Sequence, residues 1–179
     1  MHTRLFRRPV TWIVLAVLLV GGGFGLYWFQ PWKLFTSRTV NEVLPTFQPA
    51  QPPDPSTTPA PANALVASGM IITHEHESSG SASLVRLADG RVQLVLQDLV
   101  TSDGPDLHVW LTDQPVIEGR DGWQVFDDGR YVELGPLKAN QGNQVYEVPA
   151  GTDLDGLRSV SIWCKRFSVS FGAAPLDPA

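Results

Sequence analysis

The chain has 179 residues, 43% apolar and 17% charged, with a formal charge of −5 and a single cysteine. That composition excludes a disordered chain and a long coiled coil. One cysteine excludes an internal disulfide framework and an all-cysteine zinc cluster.

Charge is unevenly distributed. Residues 1–44 carry +4, with Arg4, Arg7, Arg8, Lys33 and Arg38 against Glu42, whereas residues 64–179 carry −8. The acidic body argues against nucleic acid as a partner and against direct adhesion to anionic lipid.

No charge occurs between Arg8 and Lys33, and Val10–Phe29 is almost wholly apolar. As a helix at about 1.5 Å per residue it matches a hydrocarbon core of roughly 30 Å. Tyr27, Trp28, Phe29 and Trp32 crowd its far end, where an aromatic belt belongs. A cleaved signal peptide and a buried soluble helix are the competing readings. The run is longer than a usual signal core, has no A-x-A site after it, and has no polar face. The expectation is therefore an uncleaved anchor over residues 9–32. The positive-inside rule makes residues 1–8 a cytoplasmic basic tail and puts the rest outside, in a single-pass plasma-membrane topology.

Residues 33–63 read as a juxtamembrane piece and a proline-rich linker, with Pro45, Pro49, Pro52, Pro53, Pro55, Pro59 and Pro61. Proline withholds amide donors, so extended chain is expected, holding the next domain tens of ångströms from the membrane. A docking motif for a proline-reading domain is the alternative.

From residue 64 to 179 short apolar alternations and turn signals predict an all-β sandwich or barrel. Ser83, Val85 and Leu87 alternate, Asp89-Gly90 suits a hairpin, and Val92, Leu94 and Leu96 resume. Leu107, Val109 and Leu111 form one strand face, with His108 and Trp110 on the other. Val132 and Leu134 begin a strand that Gly135-Pro136 ends, and Tyr146 and Val148 alternate against Val145 and Glu147. Asp113–Arg130 is long for a loop; its apolar residues suggest a packed insertion that forms its own hairpin, with a lid as the alternative.

SVSIWCKRFSVSFG reads as a hairpin turning at Lys165-Arg166. A two-residue turn pairs Cys164 with Phe167, Ile162 with Val169 and Val160 with Phe171 on an apolar face. Trp163 then faces Ser168, and Ser161 faces Ser170, on the other. A longer loop of the same parity is also compatible, because Lys-Arg suits a primed turn poorly.

GPDLHVWL, LGPLKANQGNQVYEVP and SVSIWCKRFSVSFGAAPL, in that order, resemble the consecutive motifs of the DM-thirteen electron-transfer domain. SGMIITHE and ADGRVQLVLQDL resemble its preceding elements, and the likeness runs roughly from Ala67 to Leu176. The resemblance implies an extracytoplasmic redox role, related to DOMON-type domains, with a redox partner protein. It also implies that Cys164, following Trp163, acts as a thiol or holds a prosthetic group such as haem, with Trp163 and Phe167 beside it.

Taken by itself, Cys164 is equally a space-filling core residue, since apolar burial makes a thiol inert. Lys165 and Arg166 next to it would favour a thiolate, and a free thiol outside the cell needs protection or use. C-x-x-C-H is absent, so covalent c-type haem attachment is excluded. His74 and His76, with Met70 on the same face and His108 as a third ligand, are weak candidates for copper; a solvated strand end is the plainer reading. No hydrolase or transferase motif occurs. The remaining alternative is a non-catalytic envelope-binding or structural module.

Overall fold

The computed structural model describes residues 9–46 and 62–179, so the basic tail and most of the proline-rich stretch lie outside the described residues. Pro9–Phe29 forms helix α1, without one buried residue, and it is long and apolar enough to cross a membrane. Gln30 adopts a left-handed backbone at φ 44° and ends it, and a 3-10 turn follows over Pro31–Phe35. Proline at the first position of that turn is at home there, because its missing N–H would have no helical partner.

Eleven short strands follow among the described residues: β1 Thr39–Asn41, β2 Ala64–Met70, β3 Ile72–Thr73, β4 Ser79–Arg86, β5 Val92–Val100, β6 Leu107–Thr112, β7 Tyr131–Pro136, β8 Gln141–Glu147, β9 Ser159–Cys164, β10 Val169–Pro175 and β11 Asp177–Pro178. They make two sheets, β1-β8-β5-β4-β2-β11 and β3-β10-β9-β6-β7. Only β1 and β8 run parallel among these pairings.

The sandwich expectation holds, and alternation explains most of the core. Leu94 and Leu96 of β5 face Leu107, Val109 and Leu111 of β6, Val160 and Ile162 of β9, and Tyr146 and Val148 near β8, all buried in one cluster. Asp89-Gly90 does turn β4 into β5: Gly90 has φ 88°, and its N–H donates to the Leu87 carbonyl. One face of β4 differs from expectation. Ala82 and Leu84, rather than Ser83, Val85 and Leu87, join the central cluster. Leu84 stands opposite Leu94 and Ala82 opposite Leu96, so the pairing register selects that parity.

Asp113–Arg130 packs onto the outer face of the second sheet. It contains a 3-10 turn, Arg120–Gly122, instead of a hairpin. Its ends meet where the Asp113 N–H donates to the Arg130 carbonyl, 3.0 Å away. Its Phe126 is fully buried with Trp110, Trp163 and Ala173, forming a second apolar layer. The middle of this sheet is thereby dry on both faces, which is why β9 is buried at every position.

The juxtamembrane segment corrects the linker expectation. Lys33 Nζ donates to the Gly104 carbonyl at 2.7 Å, and Thr36 Oγ1 to Asp103 Oδ2 at 2.9 Å. The Arg38 amide donates to Asn140 Oδ1 at 2.7 Å. Thr39–Asn41 then adds a strand to β8, and Glu42 accepts from Lys138 Nζ and from the Val145 amide, each at 2.7 Å. Asn63 Nδ2 donates to the Thr46 carbonyl, so the chain re-enters the sandwich beside the point where it left. Arg166 Nη1 donates to the Trp28 carbonyl at 2.8 Å, and Phe29 stacks on Phe167 at 5.6 Å. The sandwich is therefore docked on the end of α1, not held far from it. Sequence reading missed this because a three-residue edge strand carries no periodic signal.

Lys138 and the Val145 amide hold the Glu42 carboxyl below its usual range. A depressed carboxylate pKa adds stability above the unfolded value and loses it as pH falls through the folded one. Both side chains are over a third exposed, so the discounted contribution is about 1 kcal/mol. Glu42→Gln should therefore lower urea stability of the full chain in detergent micelles at neutral pH. The wild-type and variant curves should converge below the carboxylate range.

Candidate redox site

Cys164 ends β9, opposite Leu107 on β6 and Val169 on β10. It lies in the main core and has no exposed surface. Burial pushes its thiol up, and hydrogen bonds from the Phe167 and Arg166 amides oppose that shift without overcoming it. The sulfur is a thiol at neutral pH. The two neighbouring cations are engaged elsewhere, Lys165 Nζ with Glu133 Oε2 at 3.0 Å and Arg166 with the end of α1. Neither serves a thiolate.

The β9–β10 connection corrects the hairpin pairing. It is a four-residue turn, Lys165–Ser168, with Ser168 at φ 49°. Lys and Arg resist the positive φ values of a two-residue primed turn, so the loop opens by two residues and keeps the parity. Val169 takes the place opposite Cys164 that Phe167 was expected to hold, and Ser170 faces Trp163. A bulge at Phe171 then shifts the register, so Gly172 faces Ile162 and Ala174 faces Val160. Phe167 sits in the turn, 37% exposed, against Phe29. It does not flank the sulfur across the hairpin.

Trp163 points to the opposite face of β9 and is 1% exposed. Its indole lies 5.1 Å from that of Trp110 at an interplanar angle of 27°. Trp110 in turn lies nearly parallel to Tyr131, with centroids 3.9 Å apart and an angle of 5°. Tyr131 is 44% exposed. Phe126 meets Trp163 edge-on at 6.3 Å, and His74 stacks on Phe126 at 5.7 Å. A continuous run of rings thus leads from the residue bonded to Cys164 to the surface. Trp110 and Trp163 were each legible as facing away from the core; their diagonal meeting was not, because it needs the β6–β9 register.

The histidines do not converge. His74 is buried beside Phe126 with Nε2 3.1 Å from the Ile117 carbonyl, and burial pushes its pKa down. His76 pairs with Glu75 at 2.9 Å and lies 3.9 Å from the Phe171 ring. His108 stands between Asp106 Oδ1 at 3.1 Å and Glu133 Oε1 at 2.7 Å. Burial alone would raise the Glu133 carboxyl, but Lys165 and His108 together hold it below its usual range. Met70 is exposed. Among the described residues no group of three or more His, Cys, Asp or Glu is arranged to hold a metal ion. This charge cluster, Asp106, His108, Glu133 and Lys165, escaped sequence reading because its members lie on two strands and two turns.

A haem on Cys164 needs an open apolar slot at the sulfur. The residues present do not fit one: the sulfur is enclosed by close packing, and the principal surface clefts are lined by other residues. Cys164→Ala should cost about 1–2 kcal/mol in urea unfolding through the lost buried atom. Native Cys164 should resist an alkylating reagent and react only under denaturing conditions; rapid native labelling would contradict the enclosed thiol.

No curated protein and no solved structure matches the chain. The family model described as Electron transfer DM13 matches residues 70–176, which span the two sheets from the end of β2 to Leu176. The chain belongs to the DM13 electron-transfer family.

Proposed function

We propose that the protein is a single-pass electron-transfer module of the plasma membrane. Residues 9–32 anchor it, residues 1–8 stay in the cytoplasm, and the sandwich lies outside. Length and apolarity of α1 support the span, and Arg4, Arg7 and Arg8 support the orientation. The observation that carries the redox reading is the ring stack Trp163–Trp110–Tyr131 in a domain of an electron-transfer family.

A one-electron oxidant on a partner protein takes an electron from the Trp110–Trp163 pair, and Trp110 Nε1, buried without a hydrogen-bond partner, keeps its proton, so the vacancy is held as a strongly oxidising indole cation. Tyr131, the exposed outer end, then gives an electron to Trp110 and its phenolic proton to water, and the vacancy rests on the surface ring. In this reading Cys164 is the inner terminus, a buried thiol without haem beside the inner indole.

A second reading is favoured by the zero exposure and raised pKa of Cys164: the sulfur is only core packing, in a non-catalytic envelope-binding or structural module. Flash oxidation of the full chain by a photoexcited ruthenium complex separates the two. The redox reading expects tryptophanyl absorbance to decay into tyrosyl absorbance, a phase lost in Trp110→Leu and Tyr131→Phe but kept in Tyr27→Phe. Absence of that phase in the wild type would favour the structural module.

A further inference from the structure

A cleft of about 280 Å³ opens where the end of α1 meets the sandwich. Phe29, Leu34 and Lys33 wall it from the membrane side, and His76, Phe167 and Phe171 from the domain side. We infer that this cleft binds the head ring of a membrane-dissolved quinone. The inference rests on the electron-transfer reading and on α1 spanning the bilayer.

Position is the first argument. Phe29 closes the last turn of the span, so the cleft opens at headgroup depth, where a lipid-soluble carrier presents its ring while its tail stays in hydrocarbon. Shape is the second. Phe29 and Phe167 stack at an interplanar angle of 20°, and Phe171 packs against His76, giving aromatic walls on two sides for a planar ring.

Charge decides between ligands. Lys33 Nζ lies 3.7 Å from Asp103 Oδ1, and His76 Nε2 lies 2.9 Å from Glu75 Oε2, with both acids also lining the cleft. Lys33 is already balanced by Asp103 and His76 is already bonded to Glu75, so a phosphate headgroup would meet two carboxylates. A neutral ring with carbonyl acceptors meets none of that repulsion. An ammonium has three donors, and Lys33 spends one on the Gly104 carbonyl, leaving capacity for a quinone oxygen.

The test uses the full chain in phosphatidylcholine nanodiscs, titrated with a decyl-tailed benzoquinone, and reads intrinsic tryptophan fluorescence. Saturable quenching by one quinone per chain is expected. His76→Asn and Phe167→Ala, each checked for native near-ultraviolet dichroism, should weaken it by about tenfold, the effect of one lost favourable contact. Quenching that rises linearly with quinone in the lipid, or saturates identically in both variants, overturns the site. Saturable quenching abolished by replacing the lipid with phosphatidylglycerol assigns the cleft to headgroups and also overturns it. The flash experiment at Tyr131 needs no quinone, so loss of binding with that phase intact rejects only the cleft, and the reverse rejects only the ring path.

Discussion

Strand β9 has to bury both of its faces. Its inward residues Val160, Ile162 and Cys164 enter the cluster between the sheets, and its outward Trp163 enters the layer beneath Phe126. A large indole left on a solvated face would forfeit roughly 1.5–3 kcal/mol of burial, so the Asp113–Arg130 excursion is held as a cover rather than left as a free loop. Asp113 clamps that cover by accepting from the Arg130 amide with its carboxylate. Everything assigned to the redox site follows from this constraint: sulfur on one side of a single strand, stacked rings on the other, and a dry environment for both.

That arrangement also shields the lone cysteine from oxidants in solution. Access, more than chemistry, governs oxidation of a buried sulfur. The same enclosure separates this site from thiolate-based centres, which need a cation or a metal beside the sulfur. Here the nearest cations serve other tasks, one braced on Glu133 and the other reaching to the carbonyls that end the helix.

Much of the sandwich was legible because alternation is a local signal. Leu107, Val109 and Leu111 against Trp110, and Cys164 against Trp163, follow from a period of two and are found so. Features that needed partners were not legible. The turn after Cys164 lengthened because of backbone preferences at Lys165 and Arg166, and the bulge at Phe171 leaves no trace in a hydrophobic pattern. The meeting of Tyr131, Trp110 and Trp163 joins three strands that are remote in sequence. Lys33 and Glu42 looked like scattered charges in a linker until Asp103 and Lys138 stood opposite them.

The stitching of residues 33–46 into the sheet has a topological consequence. Asn63 Nδ2 bonds the Thr46 carbonyl, so the chain before residue 47 and the chain after residue 61 meet at one rim of the sandwich. A protease that cut the chain between those two points would not free the sandwich from the helix. The fragment bearing the helix would keep its hold through the β1 ladder and the Glu42–Lys138 pair, much as a clasp outlasts a cut thread.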